Sequence, residues 1–243
     1  MNPQPSEARR DFLLRAGTIC GRFALPAALA IPLIAQEKEK QEQEKENDES
    51  EGISPPEDLM REHGVLNRVL LIYEEHRRRL EAKQDFDLAV LSDAAGIIRH
   101  FVEDYHEKLE EDYLFPRFKK AGKLVDLVDT LLQQHQAGRR LTAQIQQLAV
   151  AGTAKDDAKR RQLSGTLHSF IRMYRPHEAR EDTVLFPAFR KVVSPHEYGA
   201  LGEEFEKKED QLFGDEGYFK VVGQVAGLEK KLGIYELAQF TPK

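Results

Sequence analysis

A block of fourteen residues occurs twice in this chain, and it constrains the fold more than any other feature. Residues 105–118 read YHEKLEEDYLFPRF and residues 176–189 read PHEAREDTVLFPAF, so His-Glu-x-x-Glu and Leu-Phe-Pro recur at an offset of 71 residues. Leu59, His63 and Arg68 align with Leu131, His135 and Arg140 at an offset of 72. The repeated unit is therefore longer than the block: a loosely matched segment followed by a closely matched one. If each segment is a helix, the chain is built from two helix pairs.

The periodicity supports helices. Ser54-Pro55-Pro56-Glu57 joins a capping box to proline in the first turn. Leu59, Val65, Leu66, Val69, Leu70 and Ile72 follow at helical spacing, and the pattern fades near His76. Further helices are expected over about 85–120 with Gly122 as the stop, 124–151 with Gly152 as the stop, and 154–190. A second capping box, Ser194-Pro195-His196-Glu197, opens a fifth helix that runs to about Phe213, and shorter helical pieces reach Gly233. No segment alternates as a strand would. The expected fold class is all-α: an antiparallel four-helix bundle over 54–193, with additional C-terminal helices over 194–243 packed on it.

Composition narrows the chemistry. The chain has 243 residues, a formal charge of -6, 40% hydrophobic and 32% charged residues and a mean hydropathy of -0.57, which argues against nucleic acid as a partner and against a set of membrane spans. Its single cysteine, Cys20, can build neither a disulfide framework nor a thiolate metal site within one chain. Any metal must be held by nitrogen and oxygen.

Residues 1–35 read as an export signal. Arg9, Arg10, Arg15 and Arg22 outnumber Glu7 and Asp11, and an uncharged run of 13 residues follows over 23–35, well short of the roughly 20 that a spanning helix needs. Arg9-Arg10-Asp11-Phe12-Leu13 resembles a twin-arginine signal, which implies a periplasmic protein cleaved after Ala30 or Ala35 and without a membrane span in its mature form. The alternative is a surface arginine pair ahead of a buried amphipathic helix. Ile19 before Cys20 argues against a lipoprotein. Residues 36–53 are expected to be a charged disordered linker, because 36–52 contain no apolar side chain to offset the entropy of ordering.

The chemistry lies in one histidine per helix: His63, then His106 with Glu110, then His135, then His177 with Glu181. Positions i and i+4 share a helix face, so each His-x-x-x-Glu offers a nitrogen and an oxygen toward one spot. Val102, Leu109 and Leu114 flank the first pair, and Phe170, Met173, Tyr174 and Leu185 flank the second, so both face the core. Two carboxylates in an apolar bundle resist ionising unless a cation compensates them. Together with four imidazoles they suffice for two divalent ions if each Glu bridges both. Singly, such residues are more often hydrogen-bonded core histidines or solvated helix faces; it is the recurrence over four helices that packing does not explain. His76, His100, His168 and His196 fall outside the scheme and are expected at the surface or in supporting roles. Pro176 is expected to kink or bulge its helix beside His177.

This pattern resembles the hemerythrin, or HHE cation-binding, family over about 56–193. The resemblance implies a bundle around a non-haem, oxo- or hydroxo-bridged pair of iron ions. His63 and His106 would bind one iron, His135 and His177 the other, and Glu110 and Glu181 would bridge. The oxygen carriers of the family have five histidines, with a bridging Glu and a bridging Asp. Here Arg139 stands where they place the fifth histidine, and the second bridge is Glu181. Glu107 and Glu178 are candidates for the vacated position; otherwise they are solvated or paired with Arg139 or Arg180. Tyr105 and Tyr174 either donate hydrogen bonds near the ligands or fill the core. The implied function is binding of oxygen or another small diatomic ligand such as nitric oxide. The alternatives are a di-iron enzyme with peroxidase, catalase-like or ferroxidase activity, and an iron store or sensor. With no phosphate loop and no Ser-His-Asp arrangement, binding is favoured over catalysis. The sequence points to no protein partner.

Overall fold

The computed structural model describes residues 53–85 and 87–242; the expected export signal and nearly all of the expected linker lie outside the described residues. Among the described residues there is no strand. Helix α1 is Pro55–Glu81, opened by the Ser54/Glu57 capping box. Helix α2 covers 88–121 as a chain of segments: α-helix Leu88–Ile97, π-helix Ile98–His106, α-helix Glu107–Leu109, π-helix Glu110–Leu114 and α-helix Phe115–Ala121. Gly122 ends it in the left-handed conformation that a side chain would disfavour. Helix α3 is Val125–Leu148. Helix α4 covers 157–189 as α-helix Asp157–Arg180, π-helix Glu181–Leu185 and α-helix Phe186–Phe189. Helices α5, Pro195–Phe213, and α6, Gly217–Leu232, follow.

Helices α1 to α4 pack in a ring, each on its sequence neighbours and α4 back on α1, which with short connections makes the antiparallel bundle expected. Leu59, Val69, Ile72, Phe101, Leu114, Val128, Leu163, Phe170 and Leu185 are among its fully enclosed side chains. Helix α6 lies against α1 and the start of α2, and α5 lies against α1 and α6. Phe213 packs on Phe101 and Tyr105, with ring centroids 5.6 and 5.4 Å away. Arg68 of α1 grips Glu229 of α6 with two hydrogen bonds of 3.0 and 2.5 Å. No helix among the described residues is long and apolar enough to cross a membrane.

Four local expectations are corrected. Helix α3 stops at Leu148 rather than near Ala151, and Gly152 sits inside the 3-10 turn Ala151–Lys155. Helix α4 starts at Asp157 rather than at Ala154, because Asp156 caps it by accepting from the backbone of Ala158 and Lys159. The segment after Phe213 is one continuous helix to Leu232, its internal Gly223 and Gly227 tolerated, not a set of short pieces. Pro176 does not bulge its helix: it is exposed, so the carbonyl left without a partner faces water, and α geometry continues to Arg180. The wide turn comes later, at Glu181–Leu185.

Candidate metal centre

The Leu-Phe-Pro motif explains the π turns Glu110–Leu114 of α2 and Glu181–Leu185 of α4. Pro116 and Pro187 lack an N–H and crowd the carbonyl four residues back, and the turn before each widens to relieve this. Phe115 accordingly bonds to the carbonyl of Glu110, and Phe186 to that of Glu181, five residues away instead of four. Each of these two wide turns begins at the glutamate of a His-x-x-x-Glu pair, whereas the longer π segment of α2, Ile98–His106, precedes no Leu-Phe-Pro and ends at the histidine. The phenylalanines stack on the lone histidines, Phe115 on His135 and Phe186 on His63, at 5.4 and 5.5 Å. The leucines are enclosed in the core.

All six sequence-selected residues come together and are buried. His63, His106 and Glu110 form one group and His135, His177 and Glu181 another, each with ligand atoms within 4.8 Å of one another. The carboxylates lie between the groups. Glu181 faces His63 Nε2 at 3.4 Å through Oε2 and His177 Nε2 at 3.1 Å through Oε1. Glu110 Oε2 is 3.3 Å from His135 Nε2 and 3.9 Å from His106 Nε2. His63 and His106 turn their Nε2 atoms toward each other at 3.1 Å.

Each ring is fixed from behind by a residue that sequence reasoning passed over. His63 Nδ1 donates to Asp182 at 2.7 Å, His106 Nδ1 to Glu62 at 2.7 Å, His135 Nδ1 to Glu111 at 3.1 Å and His177 Nδ1 to Gln134 at 2.8 Å. With the ring proton on Nδ1, every Nε2 presents a lone pair inward. Both oxygens of Glu110, both of Glu181 and His135 Nε2 are buried without a hydrogen bond. Lone pairs converging in a dry interior fit a cation, and carbonyl- or carboxylate-anchored imidazoles are the usual way proteins orient metal-binding histidines.

The electrostatics agree. Burial, then the neighbouring Glu181, hold Glu110 well above the usual carboxylate range. Burial pushes His135 down to about 4 and His106 well below its ordinary value, which keeps them neutral as metal ligands must be. Burial opposes charge on His63 too, but Asp182 and Glu181 override it and raise His63 to about 10. A proton on its Nε2 would compete with a cation.

Glu107 and Glu178 are both buried, and neither is solvated. Glu107 accepts from the Tyr174 hydroxyl at 2.7 Å and pairs with Arg139 at 2.8 Å. Tyr174 reaches it across Gly138, where an added Cβ would lie 2.0 Å from the hydroxyl oxygen. Glu178 meets Asn67, not Arg180. His76 is corrected: it is fully buried in the core, with its ring nitrogens against the carbonyls of Ile72 and Asp87 at 2.8 and 3.0 Å, while His100, His168 and His196 are exposed. Glu62 also belongs to a buried carboxylate cluster with Asp58 and Glu209 of α5, which brings the C-terminal helices up to the site.

Comparison with known proteins gives the same assignment. Proteins of Mycobacterium tuberculosis (strains H37Rv and CDC 1551) and Mycobacterium bovis, themselves uncharacterized, are 45% identical to this chain over 240 residues, covering 99% of it and 93% of their own length. No solved structure matches. The family model described as the Hemerythrin HHE cation binding domain matches residues 54–189 and again 126–213. The first match contains both His-x-x-x-Glu pairs and both lone histidines, and the second starts at the second helix pair. The ring of four helices, its inward-facing imidazoles and carboxylates and this match show together that the chain belongs to the hemerythrin HHE cation-binding family.

Proposed function

We propose that the chain holds two iron ions and binds oxygen or another small diatomic ligand, such as nitric oxide. His63 and His106 would hold one ion, His135 and His177 the other, with Glu110 and Glu181 shared. One observation carries this reading. All four Nδ1 atoms are tied to outer partners, while the four Nε2 atoms and two hydrogen-bond-free carboxylates face one small interior. Mixed imidazole and carboxylate donors suit iron, and reduced iron would supply the electrons and the open position that a diatomic ligand needs.

The protein's own part is to orient the donors and keep water out. Phe115 and Phe186 cover the lone histidines, and Leu109, Leu114 and Leu185 close the apolar wall. Arg139 occupies the place of the carriers' fifth histidine and is engaged with Glu107 and Glu111, each at 2.8 Å. That supports one nitrogen donor fewer at the His135–His177 position than in those carriers.

Iron analysis of protein purified from iron-replete cells tests the reading, with two ions per chain expected. A chain that stays iron-free, or one that keeps both ions after Glu110→Ala and Glu181→Ala together, overturns it. An adduct that reverses under vacuum supports binding; sustained oxygen release from added peroxide would instead establish an enzyme. Export is proposed on Arg9-Arg10 and the uncharged run over 23–35. Fractionation of wild type against Arg9→Lys/Arg10→Lys tests it, and an unchanged distribution would sink it.

A further inference from the structure

The internal repeat makes each half of the centre a control for the other. Residues 62, 67, 107 and 111 stand opposite 134, 139, 178 and 182, the same offsets of 71 and 72 that relate the histidines. Identity changes at three of these four places. Glu62 faces Gln134, Asn67 faces Arg139, and Glu111 faces Asp182; only Glu107 and Glu178 agree.

Two of these differences, Glu62 against Gln134 and Asn67 against Arg139, change the charge, and both act in one direction. Around His63 and His106 lie Asp182 and Glu62, each 2.7 Å from an imidazole Nδ1, and the buried Glu178, held by the neutral amide of Asn67. Beyond the imidazoles themselves, no lysine or arginine pairs with these three carboxylates among the described residues. Around His135 and His177 lie Glu111 and Glu107. Glu111 is shared by Arg139 at 2.8 Å and Lys108 at 2.5 Å, and Glu107 is paired with Arg139 at 2.8 Å. The partner of His177 is the uncharged Gln134. Three carboxyl groups without a lysine or arginine partner thus surround one pair of histidines, and two carboxylates paired with two such bases surround the other.

We infer that the two metal positions are unequal: the His63–His106 position holds its cation more tightly and fills first, and residue 134 sets a large part of the difference. The inference rests on the six-ligand reading above. Two physical effects support it. An imidazole whose far N–H is bound by a carboxylate is a stronger donor than one bound by an amide. Carboxyl groups with no lysine or arginine partner also leave more negative charge available to a bound cation than carboxylates already paired with a base do. Outer partners of this kind change metal affinity by roughly 10–100-fold, which is the separation expected between the two steps. The weaker ion, beside Arg139, is then the one that leaves and exchanges.

Metal-free protein titrated with Zn2+ against a chromophoric chelator should take up two ions in steps separated by about 10–100-fold. Crystals grown at one equivalent should show anomalous scattering at His63 and His106. Gln134→Glu should narrow the gap by tightening the second step, and Glu62→Gln should narrow it by loosening the first. Two ions bound in a single step, or a first ion at His135 and His177, overturns the inference and leaves the two-ion centre standing. Uptake of fewer than two ions overturns both. If Gln134→Glu does not fold, the wild-type steps and Glu62→Gln still decide.

Discussion

Helices α1 and α3 are regular along their whole length, whereas α2 and α4 both widen into π turns at their glutamates. The regular helices contribute one histidine each to the centre, the widened ones a histidine and a glutamate. A helix that supplies two donors to one centre must aim both, and the π turn ahead of the proline shifts the second relative to the first. The lone histidines need no such adjustment, because Asp182 and Glu111 reach across from α4 and α2 to aim them.

Removing donors tests this contrast most strongly. Glu110→Ala or Glu181→Ala on the widened helices should abolish retention of at least one ion, a larger loss than the roughly 10–100-fold expected for an outer partner. Metal content after desalting reads it. His63→Ala and His135→Ala should do likewise while circular dichroism stays unchanged. A regular helix that unravelled with its histidine would show that the ligand, not the packing, maintains it.

Gly138 is where α3 leaves room for a side chain of α4. Gly138→Ala should displace Tyr174 from Glu107 and cost about 1–3 kcal/mol, measured by denaturant unfolding. Pro116→Ala and Pro187→Ala should restore an ordinary helical hydrogen bond at exposed positions. Metal affinity should then weaken by about 10-fold, about 1.4 kcal/mol, with no loss of thermal stability. Unchanged affinity would mean that the π turns do not aim the glutamates.

The effect of pH is confined to the metal-free protein. Burial raises Glu62 and Glu178 to about 8, and His63 is raised to about 10 by its carboxylates against the opposing effect of burial, so the folded state holds protons that the unfolded chain has released. Stability should therefore fall as pH rises from about 6.5 to about 8, where all three groups act, by up to about 4 kcal/mol per unit. His135, lowered to about 4 by burial, acts only below that window. Bound cations replace those protons, so the loaded protein should show a flatter profile in the same thermal melts.

The candidate ligand set stands out in the sequence because it recurs: four histidines and two glutamates at matched offsets have no simple reading as core or surface. The helix ends were less so. Gly152 signals a stop but lies beyond one already made, and Asp156, an ordinary cap, is inconspicuous among neighbouring charges. The π turns were hidden because proline marks a disturbance without saying where the chain relieves it; at Pro176 water does so, and at Pro187 the preceding turn does. Glu62, Glu111, Gln134 and Asp182 were missed for a geometric reason. Each adjoins a ligand on its own helix, pointing about 100° away, and serves the histidine of the next helix. The signal was present in their equivalent places in the two repeats, which a search for donors alone does not consult.

Phe213 leans on Tyr105, and Glu209 on the same α5 lies beside the carboxylate that steers His106. The smallest portable version of this centre is thus longer than its duplicated hairpins. A transplant that ended after α4 would carry every donor yet leave Tyr105 and Glu62 bare to solvent, loosening one imidazole from a distance.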